Sequence, residues 1–484
     1  MSKITISSIT ESLTGAYWYN SGRGTWTGSL VNEFVFESPS HLTSVGNNAF
    51  AGAQITSLVL PETVTELYGG IFYGCTALFD WEIPSHVKKL ASGSVFIGSS
   101  IIEPKISKDA HLEYIGDDAF SGISGLTEVD ISEATYMGAY VFYNCADLQK
   151  VKLPVNLTKL PEYTFYGCPL LETVELPESV TEIGFGAFGG CNSLSSVNTS
   201  NVKTIGGDAF VDCGLLTSVD CSSAERIGGR AFVNCSSLKS VKLLKSGDLF
   251  IGGCAFLWCR NLQSITIPAG VTSLAGDYDF LYRENGLPDN VGWSFTGTDA
   301  KILIEENSSL TTLYNGAFSG ASSLTELTLP NVERIMTYSH SNVGIFEGCQ
   351  NLKKVSFPAL KIAYSLNADN FSETGDTFAQ CPSLEYIEMP VLEEIALGRI
   401  YGNIIAPSFR KIILPETVKD VFLDETGSLN RQFDEVICWA KVPPEFYSRD
   451  GDIDCVLRVP AESVEAYKVA GHWNKFKTIL PIEE

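Results

Sequence analysis

No run in this 484-residue chain approaches the 18 or more consecutive apolar residues of a membrane span, so no insertion by a transmembrane helix is expected. Positive charge is also scarce. Against 57 acidic residues stand 33 basic ones, a net charge of -24. Such a surface repels phosphate backbones and anionic headgroups, which argues against nucleic acid as a partner and against electrostatic membrane binding. The N-terminus, MSKITISSITESLTG, lacks the basic segment and apolar stretch of a signal peptide. Either a leader has been removed or export does not use the general route.

Histidine is rarer still, with His41, His86, His111, His340 and His472 widely separated. None lies at metal-ligand spacing, and no G-x-S-x-G elbow, phosphate-binding loop or dinucleotide fingerprint is present. No catalytic residue, metal or cofactor is therefore expected. Cys254 and Cys259 are separated by an interval unusual for zinc, and Asp450, Asp452 and Asp454 lack the downstream Glu of a calcium loop. The three aspartates read as a charged turn.

What the chain does have is repetition. AFGGCNSLSSV, AFVDCGLLTSV and AFVNCSSLKSV follow one another through residues 187–241. The repeat runs through Phe50, Phe72, Phe96, Phe120, Phe142, Phe165, Phe188, Phe210, Phe232 and Phe256, in steps of 22 to 24 residues. A fixed period of this length marks a solenoid, in which stacked coils share a core that one coil cannot build alone. The unit reads A-F-x-x-C-x-x-L-x-x-V-x-L-P-x-x-V-x-x-I-G. Its spacings of three are corners, its V-x-L step has the period of a strand, and its proline ends each strand at a common level. Each buried Leu, Ile or Phe contributes roughly 1.5–3 kcal/mol. Glycines in pieces such as IGGDAF read as turn positions. Nine of the 13 cysteines sit three residues after a repeat Phe, which predicts a buried column of reduced thiols.

The L-x-x-V-x-L-P core preceded by A-F-x-x-C resembles the BspA-like class of bacterial leucine-rich repeat over roughly residues 42–430. The ending CVLRVPAESVEAYKVAGHWNKFKTILPIEE is similar to a segment often found after such repeats in proteins of gut Bacteroidetes. The resemblance implies a mainly β repeat solenoid, a horseshoe or superhelix with a parallel sheet and about fifteen coils, extracellular or on the cell surface. It further implies a non-enzymatic role in adhesion or protein interaction, with a protein or glycan ligand. A structural component of a phage or cell-envelope assembly, using the solenoid as a rigid spacer, is the alternative reading.

This gives a solenoid over residues 42–430 with caps at 1–41 and 431–484. Trp18 and Trp26 are expected to close the first coil, and Trp439 and Trp473 the last. A short helix in ESVEAYKVAGHW turns Val464 and Tyr467 inward. Cys438 and Cys455, on two expected strands, could pair in an extracellular protein.

Insertions break the period at 275–316, 336–345 and 363–377, and all three should map to one flank. Tyr278, Phe280, Tyr282, Arg283 and Trp293 mix aromatic faces with charge, and Tyr338 and His340 lie in the second insertion. These residues either hold the insertions down as small local cores or form a recognition surface. The outward row of the strands, Lys150, Lys152, Thr173, Glu175 and their equivalents, reads as a solvated face.

Overall fold

Most repeats fold as a coil with two short parallel strands, one more than the V-x-L step predicts. The computed structural model describes residues 2–14, 26, 29–101, 105–243, 249–271, 273–274, 300–305, 307–314, 316–337, 344–365, 377–378, 380–396, 409–423, 433–448 and 452–483. About fifteen turns make a parallel β-solenoid. The chain divides into two units, Met1–Asp220 and Cys221–Glu484.

In the first unit the V-x-L strands form short ladders. Glu82–Ile83 pairs with Lys105–Ile106, Glu128–Asp130 with Lys150–Lys152, and Thr173–Val174 with Ser196–Val197, all parallel and in register. The second ladder uses the two residues that end on the apolar position before glycine. Its strands Ser12–Leu13, Ser44–Val45, Glu66–Leu67, Lys89–Leu90, Tyr114–Ile115 and Tyr136–Met137 make one six-stranded sheet. Lys159–Leu160, Glu182–Ile183 and Thr204–Ile205 repeat the pattern further along. In the second unit this ladder runs from Arg226–Ile227 to Glu445–Ser448. A two-residue strand has no periodicity to read, which is why the sequence does not reveal it.

The glycine after that strand is needed for space rather than for a left-handed turn. A Cβ on Gly206 would sit 2.7 Å from the backbone of Gly184 and Phe185 in the coil below. Glycines two residues after the repeat Phe are the turn glycines, as with Gly190 at φ 72°. Gly206→Ala should therefore lower the denaturation midpoint by more than the fraction of a kcal/mol usual for a surface change. A urea melt in which Gly206→Ala matches the wild type would contradict this close coil-to-coil contact.

The core is a set of columns. Phe120, Phe142, Phe165, Phe188 and Phe210 stack with ring centroids 5.1–5.5 Å apart and nearly parallel planes. Leu160, Ile183 and Ile205 are fully buried beneath the second ladder. All 13 cysteines are buried and none is in a disulfide. They do more than fill space: the Cys145, Cys168, Cys191 and Cys213 thiols donate to the carbonyls of Phe120, Phe142, Phe165 and Phe188, one coil earlier, at 3.0–3.1 Å. Each such bond is weak, but it supplies a second donor to a carbonyl inside the core.

At the N-terminal side, Ser2–Ile6 pairs with Val31–Phe36. The Trp26 indole N–H donates to the Ala49 carbonyl at 2.9 Å while its ring meets Phe34, which meets Phe50. Trp18 lies outside the described residues.

At the other end Lys411–Leu414, Glu435–Cys438, Ile453–Val459 and Phe476–Pro481 form one parallel ladder. The helix Val464–Val469 buries Tyr467 fully, whereas Val464 is half-buried. Trp473 is buried and donates to the Pro444 carbonyl at 2.7 Å. Trp439 does not cover the last coil. It follows Cys438, whose thiol points inward, and alternation leaves the indole 49% exposed.

Cys438 and Cys455 do not pair. Cys455 precedes the Glu435↔Val456 rung, and Cys438 follows the Ile437↔Arg458 rung. Four residues of strand, about 13 Å, separate them, beyond the reach of a disulfide. The Cys438 sulfur instead lies 3.2 Å from the Tyr467 hydroxyl.

Candidate functional site

The A-F-x-x-C corner places two variable side chains on its outer flank, one two residues before the Phe and one directly after it. In successive coils these are Tyr140 and Tyr143, then Tyr163 and Tyr166. Stacking the coils assembles a two-by-two array of rings. Tyr140 stacks on Tyr163 at 4.8 Å and Tyr143 on Tyr166 at 5.5 Å. Across the array the rings meet edge to face, with Tyr143–Tyr163 at 6.4 Å and 75°. Phe185 extends the cluster 5.2 Å from Tyr163.

The next coil makes room for these rings by having no side chain. A Cβ on Gly186 would lie 2.8 Å from the Tyr163 ring, and one on Gly189 would lie 2.6 Å from Tyr166. All five aromatic side chains are only partly buried.

The position two before the Phe has a left-handed backbone. Gly70, Gly186 and Gly316 occupy it without strain, and Asn48, Asp118 and Asp208 at little cost. Tyr140 and Tyr163 hold it at φ 57° and 53°. For a bulky L residue that conformation costs about 1–2 kcal/mol. Arg230 and Cys254 occupy the same position in the second unit.

Carboxylates surround the array. Burial first, then the charges of Glu162 and Asp118, push the Tyr140 phenol above its ordinary range. The Tyr163 phenol is pushed up to about 12, chiefly by burial and then by Tyr140 and Asp208. Both hydroxyls are therefore protonated donors at neutral pH. Half-exposed rings, hydroxyl donors and nearby carboxylates suit recognition of a neutral or cationic surface and repel an anionic one. The sequence carried the signal in YVFYNC and YTFYGC, 23 residues apart.

The other candidates fare differently. Tyr278, Phe280, Tyr282, Arg283, Trp293, Tyr338 and His340 all lie outside the described residues, as does most of each insertion. The outward row is a self-neutralised surface: Lys150 pairs with Glu128 at 3.1 Å and Lys152 with Asp130 at 2.7 Å. Such exposed pairs contribute about 0–1 kcal/mol each. Lys477 lies 2.7 Å from Asp454 and 3.8 Å from Asp452. Among the described residues, no three His, Cys, Asp or Glu side chains are placed to hold a metal ion.

Solved structures of bacterial repeat proteins resemble the chain. A leucine-rich repeat protein from Bacteroides ovatus is 18% identical over 98% of this chain and 99% of its own, with a TM-score of 0.44. A leucine-rich cell surface protein from Faecalibacterium prausnitzii is 20% identical over 74% and 89%, with a TM-score of 0.36. The pneumococcal vaccine antigen PcpA is 13% identical over 100% and 79%, with a TM-score of 0.26. Among curated proteins none matches. The model of the BspA type leucine-rich repeat region matches residues 43–172, 92–216, 158–285 and 292–421. With most of its length so matched, the chain belongs to the BspA type leucine-rich repeat family.

Proposed function

We propose that this protein is a non-enzymatic adhesion protein of a bacterial surface, exposed outside the cell, which holds a host or neighbouring-cell protein or glycan on the tyrosine array. Proteins of its family are typically interaction or adhesion proteins of the cell surface. The observation that carries the site is the backbone at Tyr140 and Tyr163, where bulky rings stand in left-handed positions that glycine, asparagine and aspartate fill in the neighbouring coils of the first unit. Strain held at partly exposed aromatic residues is a mark of a recognition surface. The insertion residues Tyr278, Phe280, Tyr282, Arg283, Trp293, Tyr338 and His340 are a second proposed contact set, supported by their mixture of aromatic and charged side chains.

The test is retention of the protein on immobilised fibronectin, collagen and mucin glycans. Tyr140→Asn/Tyr163→Asn should weaken the strongest of these interactions at least tenfold, the loss of about 1.4 kcal/mol or more. If the double variant is retained as well as the wild type while deletion of residues 278–294 abolishes binding, the insertion is the site and the array is not.

A further inference from the structure

The V-x-L ladder opens within the first unit. Lys105–Ile106 pairs back to Glu82–Ile83, and Glu128–Asp130 pairs forward to Lys150–Lys152, but no ladder joins Lys105–Ile106 to Glu128–Asp130. The same coils stay closed on the second ladder, where Lys89, Tyr114 and Tyr136 remain in register. The result is a wedge, pinned on one side and open on the other. A groove of about 630 Å³ occupies the opening, lined by both strands.

The strand is displaced within its coil: Ile106 follows Phe96 by 10 residues and precedes Ile115 by 9, where its partner Ile83 follows Phe72 by 11 and precedes Leu90 by 7. Ser99 stands where the repeat has its core Cys, and Ser107 where it has its proline.

Alternation along a parallel strand fixes which backbone groups face the groove. The Ser107 N–H donates to the Ile83 carbonyl, so Ser107 and Lys105 turn their backbone toward Glu82–Ile83. The intervening Ile106 turns its N–H and C=O into the groove. On the other wall, Lys150 donates to Thr127 and Ile131 donates to Lys152. Val129 therefore faces the Lys150–Lys152 strand, while Glu128 and Asp130 present their backbone groups to Ile106 across the opening. Two strand edges face each other with a space between them. Open edges of this kind are templates for a further strand.

We propose that this groove receives an extended peptide segment of a partner protein, which completes the ladder by strand addition between Lys105–Ile106 and Glu128–Asp130. Ile106, Leu112 and Leu126 line the groove and call for small apolar residues on the inward side of the segment. The rim charges are already partnered, Lys105 by Asp80, Glu128 by Lys150 and Asp130 by Lys152, so the outward side of the segment need only be polar. The segment thus alternates apolar and polar residues.

The probe is a synthetic peptide of sequence Lys-Val-Glu-Val-Lys-Val-Glu added to the full chain, read by amide hydrogen exchange. Without peptide, the Ile106, Glu128 and Asp130 amides should exchange at least tenfold faster than that of Val129. With saturating peptide they should slow by at least tenfold. Glu128→Pro removes a groove-facing donor without touching the ladder to Lys150–Lys152, so it should weaken peptide binding while leaving the melting temperature within a few degrees. Tyr140→Asn/Tyr163→Asn should bind the peptide as the wild type does. Amides already as slow as Val129 in the free protein would overturn the proposal, because the edges would be paired. Fast amides that the peptide leaves fast would overturn the strand-addition mode.

Discussion

Phe188→Ala should destabilise the protein by about 3–5 kcal/mol, a larger loss than a truncation at the partly exposed tyrosines would produce. Phe188 is fully buried and lies between Phe165 at 5.5 Å and Phe210 at 5.1 Å. Truncation would leave a ring-sized void that neither neighbour can fill, because each is held at its own coil level by backbone bonds. Phe188 N–H donates to the Ala209 carbonyl and Phe165 N–H to the Ala187 carbonyl. In a solenoid each coil touches only its neighbours, so the loss should be concentrated around residues 165–210. Hydrogen exchange on Phe188→Ala should show faster opening there than in the second unit. A uniform acceleration along the whole chain would argue for a single cooperative core instead.

Raising the pH above 9 should lower stability steeply. Burial pushes the Cys75 and Cys455 thiols up to about 11, and those of Cys145, Cys259 and Cys381 up to about 12, with backbone N–H groups offsetting part of the rise. Cys168, Cys191 and Cys349 shift in the same direction for the same leading cause. The sign follows from proton binding. Above the unfolded pKa, near 9, the unfolded chain releases thiol protons that the folded chain retains. Unfolding then releases protons, and stability falls as pH rises. Each such thiol contributes a loss of about 1.4 kcal/mol per pH unit until its folded pKa is reached. The window therefore runs from about 9 to 11–12. Urea melts at pH 7, 8, 10 and 11 should show nearly equal midpoints at the first two values and a steep drop after that. Replacing Cys145, Cys168 and Cys191 with Ala should flatten the slope while lowering stability at pH 7. A midpoint constant to pH 11 would contradict the buried, neutral thiol column.

The parts of the fold legible in the sequence are those set by long repetition. Phe188, Cys191 and Leu194 recur at fixed spacing and are fully buried, as the period requires. The two-residue strands, such as Thr204–Ile205, carry no alternation, and only coil stacking brings them into a ladder. Trp439 reads as a cap residue by size, yet its place after an inward Cys438 turns it to solvent. The tyrosine array was written in the sequence as Y-x-F-Y in two successive repeats, but each coil alone shows only variable positions beside a regularly recurring Phe. The open ladder is not legible in coil length, since the equally long interval from Phe232 to Ile251 leaves the ladder joined, and it becomes visible only once both strand edges are placed.

If Tyr140 and Tyr163 are kept for recognition and not for folding, the denaturation midpoint of Tyr140→Asn/Tyr163→Asn tests that role most directly. Asparagine relieves about 1 kcal/mol of left-handed strain at each position, while the five ring pairs lost, all between partly exposed rings, remove about 0.5 kcal/mol each, the low end for aromatic pairs. The two effects offset, so the double variant should melt within about 1 kcal/mol of the wild type. A loss approaching the 3–5 kcal/mol expected of Phe188→Ala would make the array part of the core and contradict a recognition role.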